Sequence, residues 1–494
     1  MKNSTRYFFA ILFAVSVFIY PSGNFLSKAA ASSLIQPSDI SYLGAFKLPS
    51  VNDGSYGVFE YSNAPIAFYP SGDPGGSSDG YSGSLFVGGH VYATKVAEVG
   101  IPKPIISKNL SDLPTATLLQ PFKDVTAGIS NKTGFIMGMT YIPSDGKIYF
   151  TQGQDYSDSQ SDCSLPGNAP GLGRFSPNLS NPQTNGLWYV SLNGSNLHPF
   201  TSTRYIMEIP KSFADANLGG KYVATGRHRG WCDREGTNLY ASNTATAAGE
   251  SISGSKLMEF GPFLDQSKWS KQHSTANAYQ GGAWLTLGDK AAVAISGIID
   301  NNPAKSYYGY ENWTVPNACE PSGTCKGQRG WRAGEPQAAM LFYDPKDMAD
   351  VANGTKSSWI PQWYAKFDMT PYFLRNYAPT FLTTGSGAEV VLMTFDRNNS
   401  LLYVSESFAN GLTPIIHVFK ISSSGTSPTP APTPTVIPPI FKGDINNDHI
   451  VNSLDWSIMN SRWFTNDSTV DLNEDGIVNS LDFSIMNGNW LKSG

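Results

Sequence analysis

Most of the chain alternates short apolar runs with polar turns and shows little of the 3.6-residue periodicity of amphipathic helices. Short apolar or alternating runs bounded by Gly, Asn, Asp or Pro are typical of β-strands. The pattern predicts strands most clearly at 84–88, 147–151, 187–192, 291–296, 390–395 and 401–405. Residues 34–421 are therefore expected to be mainly β.

Two of these segments have the form of β-hairpins. Residues 141–152 turn at Asp145-Gly146, and residues 393–406 turn at Asn398-Asn399. Polar tight turns between apolar strands predict hairpins, and the repeated unit resembles a blade of a β-propeller. At about 40 to 60 residues per blade, the region would hold five to seven blades. A pair of β-sandwiches is the alternative.

Composition agrees with a turn-rich β protein. Glycine (48), proline (33) and aromatic residues (13%) are abundant, and these residues favour turns and strands over helical bundles. The net charge is -5 with only 15% charged residues. Nucleic-acid binders usually have a clustered excess of basic residues, so no nucleic-acid partner is expected. The length of 494 residues predicts at least two folded units.

The N-terminus has the pattern of a signal peptide, residues 1–31. Lys2 and Arg6 precede an apolar run from Tyr7 to Tyr20, and small residues end at Ala31. The run is shorter than the roughly 20 residues of a spanning helix, so we expect cleavage after Ala31. A permanent anchor is the alternative; no later segment predicts a membrane span. The protein is expected to be secreted, and attachment to a cell surface would then require a partner.

A Pro/Thr/Ser-rich stretch, residues 422–440, separates two parts of the chain. Such a composition cannot bury a core and predicts an extended linker. The large β region, 34–421, precedes it, and a small C-terminal unit, 441–494, follows it.

The C-terminal unit contains a duplicated segment that starts at Asp444 and again at Asp471. Fourteen of 21 aligned positions are identical. Oxygen-bearing side chains recur at positions 1, 3, 5, 9 and 12 of each copy, and position 7 would offer a backbone carbonyl. Calcium takes six to eight oxygen ligands, so the spacing predicts two calcium ions rather than metal-free Asn/Asp-rich turns. The predicted ligands are Asp444, Asn446, Asp448, Ile450, Asn452 and Asp455, then Asp471, Asn473, Asp475, Ile477, Asn479 and Asp482.

A helix is expected to leave each loop. Three apolar positions share one face of each helix, and the two faces are expected to pack together. They are Leu454, Ile458 and Met459 in the first copy and Leu481, Ile485 and Met486 in the second.

Two calcium loops that keep only the exiting helix of an EF-hand resemble a type I dockerin. The resemblance implies a small all-α module that docks to a cohesin-like partner. In that family, positions 10 and 11 of each loop help to select the partner; here they are Ser453-Leu454 and Ser480-Leu481. Their identity in both repeats implies two docking orientations related by pseudo-symmetry. The first loop departs from the pattern with His449 at position 6, where an EF-hand has Gly, which predicts a weaker first site.

The large region resembles a group of secreted proteins that are often joined to dockerins. The resemblance lies in residues 82–102, 112–124 and 414–421, and it implies export and fold rather than a particular reaction. Dockerins commonly tether proteins that act on insoluble polysaccharide. The associated expectation is a lyase or glycoside hydrolase, and the alternative is a non-catalytic propeller for glycan binding or adhesion.

The densest group of ionisable residues lies at 227–235, in a chain that is otherwise poor in charge. A site that moves protons beside a sugar uronate needs Arg to neutralise the carboxylate, His to carry the proton and acids to orient them. Hydrolysis would instead need two carboxylates about 5 to 10 Å apart. The alternative is a loop of structural salt bridges. The candidate catalytic residues are His228, Arg229, Asp233 and Glu235.

Aromatic residues accompany this group and a second segment at 307–335. Aromatic faces can stack on sugar rings, whereas the alternative is that these rings are partly buried. The candidate carbohydrate-binding residues are Trp231, Tyr310, Trp313, Trp331 and Arg332. His90 and His228 are a further, weaker hypothesis for a metal site or a base.

Four cysteines lie in the exported part of the chain, and an even number in an oxidising compartment predicts two disulfides. Cys319 with Cys325 would close a small loop, and Cys163 with Cys232 would join two longer ones. Sequence permits three pairings. No CxxC spacing favours the alternative of a thiolate metal site.

Overall fold

The structure is a computed structural model. It describes residues 33–62, 64–73, 76, 80–127, 129, 135–153, 167–227, 234–244, 247–303, 307–308, 331–375, 391–422, 442–446 and 450–491. The predicted signal peptide, nearly all of the predicted linker and all four cysteines lie outside the described residues.

Five sheets of four or more strands, antiparallel except where β1 and β15 join them, form the blades of a propeller. Two strands precede the first blade: β1 (Ser33–Leu34) and β2 (Ile40–Lys47). Blade 1 contains β3 (Ile66–Tyr69), β4 (Ser84–Gly88), β5 (Lys95–Gly100) and β6 (Leu118–Asp124). Blade 2 contains β7 (Phe135–Ile142), β8 (Lys147–Gly153), β9 (Leu172–Phe175), β10 (Asn185–Leu192) and β11 (Ser195–Asn196).

Blade 3 contains β12 (Tyr205–Glu208), β13 (Val223–Gly226), β14 (Leu239–Ser242) and β16 (Ser255–Met258), while β15 (Ser251–Ser253) pairs with β10. Blade 4 contains β17 (Ala278–Leu287), β18 (Lys290–Asp300), β21 (Pro336–Tyr343) and β22 (Ala365–Asp368), with β1 beside β18. A separate pair is formed by β19 (Tyr307–Tyr308) and β20 (Trp331–Arg332). Blade 5 contains β23 (Met393–Asp396), β24 (Leu401–Asn410) and β25 (Thr413–Ile421).

Short helices connect or follow the strands. They are α1 (Pro199–Ser202), α2 (Lys211–Asn217) and α3 (Pro345–Ala352), then α4 (Ser453–Ser461) and α5 (Ser480–Gly488) in the C-terminal unit. Within the described residues, 3-10 turns include Pro37–Asp39, Leu110–Asp112 and Gln266–Lys268. No helix within the described residues has the length and hydrophobicity of a membrane span.

The five sheets close into a ring. The innermost strands are β3, β7, β12, β17 and β23, and each contacts the innermost strands of both neighbouring blades. The N-terminal strand β2 pairs with β25, so the two ends of the propeller sequence share blade 5. This confirms the prediction of a mainly β propeller, at the lower end of the expected five to seven blades.

An apolar cluster fills each of the five gaps between blades. Adjacent residues of one strand serve opposite gaps: Val223 packs toward blade 2, and Ala224 packs toward blade 4. Both faces of the sheets are therefore buried, which explains why many strands are continuous apolar runs rather than alternating ones. Both predicted hairpins, β7–β8 and β23–β24, are present.

Candidate functional sites

The second repeat of the C-terminal unit shows how each loop is held. Asp482 is buried, and its carboxylate accepts backbone N–H bonds from Leu472 (2.8 Å), Asn473 (3.1 Å) and Asn479 (2.8 Å). Burial raises the pKa of this carboxyl, but the backbone N–H donors outweigh it and hold the pKa below its ordinary value. The position-12 carboxylate thus ties the start of the loop to the start of α5.

The other side chains of this loop converge as its spacing predicts. The backbone N–H of Asp475 is shared by Asp471 Oδ1 and Asn473 Oδ1, both at 3.2 Å. Asp471 Oδ2 accepts the N–H of Gly476 at 2.8 Å. Gly476 has a φ of +90°, a conformation that L side chains rarely adopt. The sharp turn at position 6 therefore requires glycine here.

The first loop repeats the same contacts where it is described. Asp455 accepts from the N–H groups of Ile445 (2.8 Å), Asn446 (3.1 Å) and Asn452 (2.8 Å). Asn452 Oδ1 caps α4 through the N–H of Leu454 at 2.7 Å. Of the predicted ligands, Asp448 lies outside the described residues, as does position 6.

The donor set agrees with calcium in kind. In each loop the position-9 amide also contacts the position-7 carbonyl: Asn452 Nδ2 lies 3.1 Å from the Ile450 oxygen, and Asn479 Nδ2 lies 3.0 Å from the Ile477 oxygen. All of the predicted ligand atoms are hard oxygens, which suit calcium. Each predicted ligand set combines carboxylate, amide and carbonyl oxygens, and no group of three or more His, Cys, Asp or Glu poised for a metal occurs within the described ranges.

The predicted helix packing is partly wrong. Met459 and Met486 are buried together, but Leu454 is 59% exposed and Leu481 is 57% exposed. These leucines lie in the first turns of α4 and α5, outside the interface that buries the methionines. The packing prediction therefore fails for both leucines, which instead lie on the surface beside Ser453 and Ser480.

In the propeller, the predicted catalytic segment follows β13. Register pairs Tyr205 with Gly226, so Arg227, where the described part of this segment begins, lies at the face where the innermost strands begin, here named the upper face. His228, Arg229, Trp231 and Asp233 lie outside the described residues, as do Tyr310 and Trp313. Trp331 and Arg332 form β20.

Glu235 is described, and it ends a buried hydrogen-bond chain. His273 Nε2 lies 2.9 Å from Glu235 Oε2, and His273 Nδ1 lies 3.1 Å from the Tyr279 hydroxyl, which accepts from Asn277 Nδ2 at 3.1 Å. The donors assign a neutral tautomer: Tyr279 O–H donates to Nδ1, and Nε2–H donates to Glu235. Burial lowers the pKa of His273 and outweighs the opposing effect of Glu235.

The same chain reaches the second predicted segment. Asn277 Oδ1 accepts the N–H of Asp300 at 2.8 Å, and Asp300 Oδ1 accepts the N–H of Glu335 at 3.1 Å. Ser274 Oγ donates to Asp300 Oδ2 at 3.0 Å. The residues that flank both predicted segments are therefore connected on the upper face.

Arginines hold the ends of residues 228–233. Arg227 is fully buried, and its Nη1 donates to the Arg234 carbonyl at 3.1 Å. Burial lowers the pKa of Arg227 to about 10. Arg234 Nε pairs with Glu259 Oε2 at 3.0 Å, and the Tyr240 hydroxyl donates to the same oxygen at 2.7 Å. Arg234 and Glu259 line a cavity of about 480 Å³ between blades 2 and 3.

A second cavity, of about 400 Å³, opens where the innermost strands end. Its walls include Phe68, Tyr141 and Trp284, and Glu208 Oε2 pairs with Arg397 Nη2 at 2.5 Å. The sequence analysis missed this cavity because its residues come from five blades and form no local motif.

Comparison with known proteins identifies the C-terminal unit. The described residues combine a five-bladed propeller with a small C-terminal unit that contains two similar loops, each followed by a helix. Residues 442–489 match the family model of the Dockerin type I domain, which confirms the resemblance found in the sequence. A type I dockerin binds calcium and docks to a cohesin.

The remaining comparisons add no function. None of the curated proteins matches the chain. Among solved structures, the chain is similar to a triple arginine-to-alanine mutant of AofleA from Arthrobotrys oligospora, with 9% identity over 80% of this chain and 98% of that chain and a TM-score of 0.28. At that TM-score the likeness supports no argument.

Proposed function

We propose that this is a secreted protein in which a propeller, 34–421, is held on a cohesin-bearing partner by a dockerin, 441–494, and acts on polysaccharide. Export would remove residues 1–31, and residues 422–440 would form an extended linker that separates the propeller from the docked module. The match of residues 442–489 to a dockerin carries the docking part of this proposal. The upper-face network supports the part on polysaccharide.

Two matching surface patches would make the docking contact. Leu454 and Leu481 are exposed apolar side chains at equivalent positions, each beside an exposed serine. Both leucine side chains are therefore accessible to a docked partner. Either helix would present the same Ser-Leu pair, so the partner would bind in two orientations, each with two calcium ions supporting the fold.

The docking proposal is tested by titrating full-length protein against a panel of cohesins in calcium. Leu454→Asp and Leu481→Asp are each expected to leave binding within about twofold, because the other patch remains. The double variant is expected to lose binding at least a hundredfold. Ser457→Asp and Ser484→Asp, exposed one helical turn further on, form the matched double control. Full binding by the Leu double variant would contradict the assigned contact.

For the propeller, we propose a lyase or glycoside hydrolase site formed by residues 228–235 on the upper face. The chain from Glu235 through His273 and Tyr279 to Asp300 supports it, because this chain connects the flanks of the two segments that carry the candidate groups. His228 would move the proton, Arg229 would bind a uronate carboxylate, and Asp233 would orient them. Glu235 is 3% exposed, which suits a positioning role.

A panel of neutral and uronate-containing polysaccharides tests this reaction. New reducing ends would indicate hydrolysis, and 4,5-unsaturated uronate would indicate elimination. His228→Gln and Asp233→Asn are expected to lower product release at least a hundredfold, whereas Asp215→Asn, on exposed α2, would leave it unchanged. Inactivity of wild-type protein across the panel would overturn the catalytic proposal.

The burial of Glu235 favours a second candidate, a propeller that binds glycan without cleaving it. A carboxylate that is enclosed by its own hydrogen-bond partners stabilises a fold without reaching a substrate. Retention of wild-type protein on an insoluble glycan without product release, unchanged in Asp233→Ala and Glu235→Ala, would favour this candidate.

A further inference from the structure

A cluster of aromatic rings that the sequence analysis did not assign lies on the upper face, where blades 5 and 1 meet. His90 is at its centre: ring centroids lie 4.9 Å away at Tyr56, 5.5 Å at Tyr61 and 5.1 Å at Tyr92. Phe408 extends the cluster, 6.1 Å from Tyr61. The exposed fractions are 58% for Tyr56, 45% for Tyr61 and 72% for Tyr92, so three large rings face solvent together.

The backbone beneath these rings is strained. Tyr56 (φ +60°), Tyr61 (φ +53°) and Phe408 (φ +58°) adopt the left-handed conformation. Among the described residues, only one further aromatic, Phe464, does so. A bulky residue with positive φ is a genuine outlier that persists only where its surroundings impose it, and such strain concentrates at functional sites.

Specific contacts impose each of these conformations. Asp53 Oδ1 accepts the N–H groups of Ser55 (2.9 Å) and Gly57 (2.7 Å), so one carboxylate holds both neighbours of Tyr56. Lys95 pairs with the same carboxylate. The backbone that carries Tyr56 is therefore held in place without a ligand, which lowers the cost of binding one.

Tyr61 and Phe408 are held from the neighbouring blade and loop. The Tyr61 N–H donates to the Leu412 carbonyl at 2.9 Å, and its carbonyl accepts from Val91 at 3.2 Å. Arg375 donates to the carbonyl of Ser407, at 3.0 Å, and lies 5.7 Å from the ring of Phe408.

We infer that the rings of Tyr56, Tyr61, Tyr92 and Phe408 around His90 form a subsite for a pyranose ring of a neutral glycan. The axial C–H bonds of a sugar face pack against the electron-rich face of an aromatic ring. The tyrosine hydroxyls and the His90 ring supply hydrogen bonds for sugar hydroxyls. His90 Nδ1 accepts the N–H of Tyr92 at 3.1 Å, which leaves Nε2–H as a donor.

The charges near the cluster favour a neutral ligand. Burial lowers the pKa of His90 and outweighs the opposing effect of Glu60, so the ring is neutral at neutral pH. Lys95 is neutralised by Asp53. A nucleic-acid strand needs a basic groove beside its stacking rings, whereas this chain has 34 basic and 39 acidic residues.

This subsite is separate from the proposed catalytic segment, and the inference does not rest on catalysis. The chain enters and leaves residues 228–235 through β13 and β14 of blade 3, whereas the aromatic cluster belongs to blades 5 and 1. A glycan held at this cluster would be bound on the same face of the propeller.

The test is affinity electrophoresis of full-length protein in gels that contain hydroxyethyl cellulose, xyloglucan, galactomannan or polygalacturonate. We expect retardation by at least one neutral polysaccharide. Tyr61→Gly and Tyr92→Ala are each expected to weaken it about tenfold or more, while Phe464→Ala, an exposed ring in the dockerin, leaves it unchanged. Because glycine suits the left-handed backbone, Tyr61→Gly should keep the wild-type melting temperature.

Two outcomes would overturn the inference: no retardation by any neutral polysaccharide, or undiminished retardation of Tyr61→Gly and Tyr92→Ala. Binding to polygalacturonate alone also counts against it, because the cluster offers no net positive charge. Asp233→Asn separates this inference from the proposed reaction. It should lose product release and keep retardation, so failure of one does not imply failure of the other.

Discussion

The propeller and the dockerin reach stable folds by different means. Five apolar clusters seal the gaps between blades, and closure by β2 leaves each blade between two neighbours. The dockerin buries far less: its fully buried apolar side chains are Val451, Met459, Val470, Val478 and Met486. Units of this size usually need a metal or a disulfide in addition to their core.

The buried carboxylates of the propeller and of the dockerin also differ in how their neighbours are satisfied. In the propeller, Glu406 and His417 are fully buried, and the His417 Nε2 donates to Glu406 at 2.9 Å while Nδ1 accepts from the Tyr42 hydroxyl at 3.0 Å. In the second loop of the dockerin, which the buried Asp482 holds, Asp471 Oδ1 and Asn473 Oδ1 accept the same N–H group, that of Asp475. The Glu406–His417 arrangement is complete within the protein, whereas the loop brings oxygens together whose repulsion a cation would reduce.

Removal of calcium is expected to have the largest effect. In calorimetry of the full chain, EGTA should abolish the dockerin transition and leave the propeller transition in place. A ligand at a hundredfold excess over its Kd contributes about 2.7 kcal/mol per site, a large share of the stability of a small module. Readdition of calcium, but not of magnesium at equal concentration, should restore the transition. A dockerin that melts identically in EGTA would contradict the comparison.

Truncation of Glu406 is expected to affect only the propeller. Glu406→Ala removes the acceptor of His417 and of the backbone N–H groups of Leu374 (2.8 Å) and Arg375 (2.7 Å). The variant leaves three N–H donors without this acceptor, and each unsatisfied buried donor costs about 1 to 3 kcal/mol. Chemical denaturation should show this loss, whereas Asp215→Ala, which removes an exposed pair with Lys211, should cost less than about 1 kcal/mol.

A shift of the dockerin transition in Glu406→Ala would show that the two folds are coupled. An unchanged propeller transition would show that the buried pair contributes little to closure of the ring.

Acidification is expected to weaken the propeller through His273. Burial holds the pKa of His273 below the ordinary value of 6.5, so below pH 6.5 the unfolded chain binds a proton that the folded chain does not. Its stabilising contribution is complete above pH 6.5 and is lost as the pH falls toward the folded pKa, at up to about 1.4 kcal/mol per pH unit. His273→Gln should flatten the dependence of the propeller transition between pH 6.5 and 5.5.

Above pH 7.5, wild-type protein and His273→Gln should differ by a constant amount, which serves as the internal control. An equal slope in the two proteins below pH 6.5 would assign the acid sensitivity to other groups.

The sequence predicted those features whose residues lie close together along the chain. Each predicted calcium loop lies within twelve consecutive residues, so spacing alone was sufficient to predict ligands such as Asp471 and Asp482, and the match to a dockerin confirms the module. The hairpins are equally local, and they were sufficient to predict propeller blades.

Groups assembled from distant segments were not predictable. His273 and Glu235 are separated by 38 positions, and Tyr61 and Phe408 meet only because the ring closes between blades 5 and 1. Leu454 and Leu481 show that a local pattern can also be insufficient. The helical pattern places each leucine on one face of its helix but does not determine whether a neighbour covers that face.

An effect similar in size to that of His273 is expected within the dockerin, at position 6 of the loops. Gly476 has a φ of +90°, and nothing lies within 4 Å of the place where a Cβ would stand, so a side chain there would meet backbone strain rather than a clash. That strain is about 1 to 2 kcal/mol for a residue with a Cβ, or roughly five- to thirtyfold in affinity.

His449→Gly should therefore strengthen the first calcium site by about this factor, and Gly476→His should weaken the second by the same factor. Calcium titration by calorimetry measures both, and the two reciprocal variants control for each other. If neither substitution changes affinity, the first loop does not share the turn of the second, and the apparent symmetry of the two repeats does not extend to their metal sites.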